Sequence, residues 1–216
     1  MNDPKPNLTP TEVQKRLHRG LLLEYASIGW MSVEDVAAVL AGVLAGSLAL
    51  LAFGGDSFIE LLSAHAVANY LRRRERGKAD SEILQKTERI TGVLLVVLTP
   101  TIGLGAVYSY ITGVRAETSI FGIIVAIGAV LMMPGLWLGK KRIGKETKCL
   151  PLSIDAVESA TCFLMSIALL GGLLGVYLFG LWWVDYLATG IILAFVAKEA
   201  IEAFGESRDG QNDSGP

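Results

Sequence analysis

VAAVLAGVLAGSLALLAFGGDSFIE occupies positions 36–60, and how many times this stretch crosses a bilayer decides the fold. Its apolar run, 36–53, reads on its own as one helix. The charges around it require two. Lys15, Arg16 and Arg19 precede the stretch, and Arg72, Arg73, Arg74, Arg76 and Lys78 follow it. Basic clusters stay on the cytoplasmic side, so an even number of spans separates them. Residues 21–71 have room for two helices, with a tight turn near Gly46-Ser47. Four further apolar blocks, 90–112, 119–139, 151–178 and 181–203, are each close to the ~20 residues that a bilayer needs. The basic segments 72–89 and 140–148 again bracket a pair of them, and Arg115 is the one Lys or Arg in an expected outer loop. The expectation is an all-α integral membrane protein of six transmembrane helices, in the cell (inner) membrane, with both termini cytoplasmic. Five helices, with the C-terminus outside, is the alternative.

Composition agrees. Hydrophobic residues make up 52% of the 216 and the mean hydropathy is +0.49, well above an ordinary soluble chain. A net charge of −2 gives no bulk case for nucleic acid. Of two cysteines, Cys149 falls in a basic loop and Cys162 in an apolar block, which argues against a disulfide framework. Positions 1–20 read as a polar cytoplasmic segment without the apolar core of a secretory signal. Positions 21–204 read as the membrane domain. Positions 205–216, rich in Gly, Ser, Asp and Asn, read as a disordered tail with no soluble domain after it. Neither a strand nor a phosphate-cradling loop is evident, which argues against an ATP-driven pump.

The acids inside the apolar blocks carry the functional signal. A charge at the bilayer centre costs at least ~2.5 kcal/mol on insertion scales. Glu34 and Asp35 lie in the first helix, Asp56 and Glu60 in the second, Asp155 and Glu158 in the fifth. No intramembrane Lys or Arg is expected to pair with them, Lys198 lying where it reaches the interface. Asp56 and Glu60 are i, i+4 and share a face, as do Glu158 and Cys162, with Asp155 on the same stripe. At 1.5 Å per residue, Glu60 and Cys162 both lie roughly 17 Å from the cytoplasmic ends of their helices, so the two faces meet at one depth. Converging carboxylates without a base must hold protons or a cation. A tetrahedral O/S set suits Zn²⁺ or Cd²⁺, an octahedral oxygen set Mn²⁺ or Mg²⁺. Cys162 has two readings, a ligand that favours zinc or a small buried hydrophobe.

These residues resemble a known family. Gly29-Trp30, Glu34, Ala41-Gly42, the run 45–50, and then Phe53-Gly54-Gly55-Asp56-Ser57-Phe58-Ile59-Glu60 are similar to the first two helices of the cation diffusion facilitators. The similarity is to a short branch without the cytoplasmic C-terminal domain. Asp155-Ala156-Val157-Glu158-Ser159-Ala160-Thr161-Cys162 resembles that branch's fifth helix, and Trp183-Val184-Asp185 with Lys198-Glu199 its sixth. The resemblance implies a six-helix transporter, usually a homodimer, that exports Zn²⁺ and related ions (Cd²⁺, Mn²⁺, Fe²⁺, Co²⁺) in exchange for protons. It implies no enzyme activity, and the metal enters as cargo, not as a cofactor. Asp56 and Glu60 match the family's acidic pair. Glu158 and Cys162 stand where it has a His-x-x-x-Asp pair, which leaves ion selectivity open.

The expected site is therefore Asp56, Glu60, Glu158 and Cys162, with Asp155 on its cytoplasmic approach and Glu34 as proton relay or ion access. His65 lies off the Asp56/Glu60 stripe and reads as an interface residue, and His18 as a solvated one. Gly42/Gly46, Gly135/Gly139 and Gly171/Gly175 are small-xxx-small pairs, each a weak signal for a dimer seam. Pro134 reads as a kink or as part of a last turn. Trp182, Trp183 and Tyr186 read as an outer aromatic belt, and Arg72–Arg76 as a topology anchor or a surface for anionic lipid. The rival reading is a non-transporting scaffold or regulator that keeps the transporter fold. A membrane metalloenzyme has no His-rich motif or nucleophile–base pair to support it.

Overall fold

The computed structural model describes residues 9–78 and 82–212. Among them every regular element is a helix: α1 (Pro10–Ala45), α2 (Leu48–Glu75), α3 (Glu82–Thr112), α4 (Ile120–Thr147), α5 (Leu150–Phe179) and α6 (Trp183–Asn212). The turn expected at Gly46-Ser47 is where α1 ends. Gly46 adopts φ +62°, a left-handed conformation that glycine takes without a Cβ clash, and Ser47 Oγ accepts from Leu50 N to cap α2. The α1–α2 hairpin closes tightly: a Cβ on Gly54 would lie 3.0 Å from the Val39 backbone nitrogen.

Positions 10–20 are the first turns of α1, started by a capping box in which Thr9 and Glu12 bond reciprocally. Leu17 and Leu21 then pack on Leu71 and Leu152. At the other end α6 runs to Asn212. A helix already formed adds residues at little cost, and no proline interrupts it before Pro216. Positions 1–8 and 213–216 lie outside the described residues. Pro134 is not in a last turn, since α4 continues to Thr147.

Helix neighbours run α1, α2, α3, α6, α5, α4 and back to α1, and α2 also touches α5 and α6 across the ring. α2 is thus the element from which a side chain can reach either α5 or α6. Helices α1 to α5 are long and apolar enough to cross a membrane. α6 carries Asp185, Lys198, Glu199 and Glu202, and it packs against α3, α5 and α2. Large apolar side chains such as Leu44, Leu104, Ile111 and Leu131 face outward, as lipid contact demands.

The two ends differ in charge. Arg72, Arg73 and Arg74 close α2, and Arg16 and Arg142 both pair with Glu146 at the same end. Among the described residues Arg115 is the one base at the other end, where it stacks 4.9 Å from the centroid of Trp182. There Tyr186 packs edge-on against Tyr110 and Trp182 and donates to the Val114 carbonyl.

Candidate functional site

A cavity of about 310 Å³ lies between α2, α3, α5 and α6. Leu84, Pro151 and Glu202, at the basic ends of their helices, line one part of it, and Asp56, Glu60 and Glu199 another. Beyond Asp56, toward the aromatic end, Phe53, Leu169 and Ile192 are completely buried in one apolar cluster. The acids therefore connect with the basic side of the bundle and are sealed from the opposite side.

Asp56, Glu60 and Glu199 each place a carboxylate oxygen within 4.8 Å of those of the other two. The i, i+4 spacing brings Asp56 and Glu60 together as the sequence leads one to expect. Both oxygens of Asp56, Oε1 of Glu60 and Oε1 of Glu199 are buried with no hydrogen-bond partner among the described residues. Unpartnered buried carboxylates at this density are neutralised by protons or by a cation.

The other expected ligands stand around this cluster rather than in it. Glu158 lines the same cavity and accepts a hydrogen bond from Ser63 Oγ at 3.4 Å. Cys162 is fully buried in the apolar core and its thiol lies against Glu60. Neither comes within 4.8 Å of the three clustered carboxylates together. Glu34 is buried on α1 beside Trp30, within electrostatic range of Asp56, and does not line the cavity. His65 is exposed, with Nδ1 2.8 Å from the Leu61 carbonyl, and His18 faces Glu75.

One expectation is corrected. A buried base does pair with one of these acids, Asp155. Lys140 is 1% exposed and its Nζ bonds both Asp155 and Glu24. Asp155 lines the cavity, yet its carboxylate is already engaged by an ammonium. The reason lies in helix phase. Met133, Leu136, Lys140, Ile143 and Thr147 form the buried stripe of α4 at the three- and four-residue steps of one helix face, so Lys140 points into the bundle although its neighbours Lys141 and Arg142 are basic too.

Glu199 was not among the expected site residues. Its signal was present in α6, where Asp185, Ala188, Thr189, Ile192 and Val196 are buried at helical steps and the next position on that stripe is Glu199.

The profile of the cation efflux transmembrane domain matches residues 35–209. The chain belongs to the cation efflux family. No curated protein matches it. Family membership makes this six-helix bundle a membrane-embedded divalent-cation transporter, with the metal as cargo and the bilayer as its medium. The acids of α2, α5 and α6 that face the cavity all fall within the matched residues.

Proposed function

We propose that this cation efflux protein exports a divalent transition metal, Zn²⁺ foremost, by exchange for protons at the carboxylates facing the α2–α5–α6 cavity. The observation that carries the reading is Asp56, wholly buried, with both oxygens unpartnered among the described residues and with Glu60 one turn away. Metal binds only deprotonated carboxylates, so metal and protons compete for the same oxygens. Such competition produces antiport once the site alternates its access. Metal affinity consequently falls as pH falls.

The basic end is taken as cytoplasmic, with both termini on that side of the cell (inner) membrane. Asp56, Glu60, Glu158 and Cys162 are then reached from the cytoplasm, past Asp155, and Glu34 serves proton movement behind Asp56. Homodimer formation belongs to the same proposal. Gly135 and Gly171 have no described atom near an added Cβ and stay open on the outer surface, whereas Gly42, Gly139 and Gly175 are filled by neighbours within the chain.

The test uses purified protein in liposomes loaded with a zinc-sensitive dye, under an imposed pH gradient. Zinc flux should follow the gradient and disappear in Asp56→Asn. Normal flux in that variant, with wild-type membrane insertion, would overturn the assignment. Absence of flux with zinc, cadmium, manganese, iron or cobalt would favour the non-transporting scaffold.

A further inference from the structure

We propose that Glu199 of α6 is a direct ligand of the transported cation, completing an all-carboxylate site with Asp56 and Glu60. This rests on the transport reading above and extends it to a third helix and to a definite donor class.

Three observations converge. The three carboxylates already approach within 4.8 Å of one another. A divalent ion with metal–oxygen bonds near ~2.1 Å holds its ligand atoms about 3 Å apart, so small side-chain rotations close the site. Second, Asp56 has no exposed surface and no hydrogen-bond partner for either oxygen among the described residues. It faces the same cavity as Glu60 and Glu199, and the inward oxygens of those two are also unsatisfied. Third, the base adjacent to Glu199 in sequence is turned elsewhere: Lys198 pairs with Glu202 at 3.2 Å on the exposed side of α6.

The donor set has a chemical consequence. Carboxylate oxygens are hard ligands, suited to Mn²⁺ and to Zn²⁺ with water completing the shell, and they give no preference to soft Cd²⁺. Cys162, buried in the apolar core against Glu60, packs beside the site without contributing its sulfur. The ion also ties α6 to α2, so a bound cation holds those two helices together while the bundle changes its access.

The experiment is calorimetric titration of the purified full chain in detergent with Mn²⁺, Zn²⁺ and Cd²⁺ separately. Glu199→Gln should weaken Mn²⁺ and Zn²⁺ by about tenfold or more, as expected for loss of a charged ligand. Glu199→Cys should raise the Cd²⁺-to-Mn²⁺ affinity ratio by about tenfold or more, a change that a merely structural glutamate would not give. Cys162→Ser should leave the Zn²⁺-to-Mn²⁺ ratio within about twofold. Wild-type affinities in Glu199→Gln, or an unchanged ratio in Glu199→Cys, remove α6 from the site. If Asp56→Asn still abolishes binding in that case, the transport reading stands alone. If Asp56→Asn also binds normally, the transport reading falls with it. Selective loss of zinc and cadmium in Cys162→Ser would overturn the oxygen-only donor set. Should Glu199→Gln fail to elute as a folded species, the cysteine variant decides the question.

Discussion

Lys140 Nζ lies 3.3 Å from Glu24 Oε2, with neither side chain more than 1% exposed, and the same ammonium bonds Asp155. Three helices, α1, α4 and α5, thus meet on one positive charge. Removing it leaves two buried carboxylates facing each other. Lys140→Gln is expected to destabilise the protein by roughly 3–5 kcal/mol, read as a large drop in the unfolding temperature in detergent. Neutralising all three groups, as Glu24→Gln, Lys140→Met and Asp155→Asn together, should recover most of the loss. A Lys140→Gln protein that melts like wild type would show the triad to be energetically idle.

Phe53 is the fully buried side chain one turn beyond Asp56, on the sealed side of the site. Phe53→Ala leaves a cavity there and should lower stability by about 3 kcal/mol. The functional readout is proton leakage into liposomes without added metal. It should rise in the variant, because water reaches the acids from the aromatic end. A tight Phe53→Ala liposome would mean that Leu169 and Ile192 suffice as the seal.

How much of this was legible beforehand depended on what kind of signal each residue gave. The Gly46-Ser47 turn was readable because two basic clusters constrained the parity of crossings, although hydropathy alone ran straight through it. Asp56 and Glu60 were readable because one helix carries both at a fixed spacing. Lys140 was not, since it heads the run Lys140-Lys141-Arg142, and a topology anchor and a buried base look alike until helix phase is known. Glu199 was hidden for a similar reason. Between Lys198 and Ile201, with Glu202 close behind, it reads as part of a charged helix end, and its partners on α2 are more than a hundred positions away in sequence. Cys162 shows the limit of spacing arguments. Its thiol lies against Glu60, and its side chain joined the apolar core.

Ser47 Oγ donates to Asp185 Oδ1 at 2.5 Å and accepts from Leu50 N. Ser47→Ala removes the cap of α2 and the link to α6 in one step. A loss of about 1–2 kcal/mol is expected, measured by thermal unfolding, and Ser47→Thr should restore much of it. An alanine variant of unchanged stability would show that water replaces both bonds.

Glu12 lies outside the membrane-spanning part of α1 and titrates with a definite sign. Bonds from the Thr9 backbone N–H and hydroxyl, each 2.8 Å, hold its carboxyl below the usual range, the backbone bond being the larger cause. A depressed carboxylate stabilises the folded state above its unfolded pKa, near ~4.3, and that contribution is lost as pH falls through the lower folded value. The protection factor of the amides over the first turn of α1, taken against the intrinsic exchange rate at each pH, should therefore fall on acidification below about pH 4. Glu12→Gln should exchange rapidly already at neutral pH, and equal protection in the two proteins would dismiss the capping box.

The Ser47–Asp185 bond joins the α1–α2 turn to the start of α6 at the end of the bundle remote from Arg72, Arg73 and Arg74. Members fastened at one end spread most at the other, as the legs of a pair of tongs do. The opening that reaches the acids from the basic side thus lies at the free ends of the legs. On the export reading proposed above, release of cargo on the far side demands a different movement. Either this rivet parts, or α6 and the first hairpin swing as a single arm against α4 and α5.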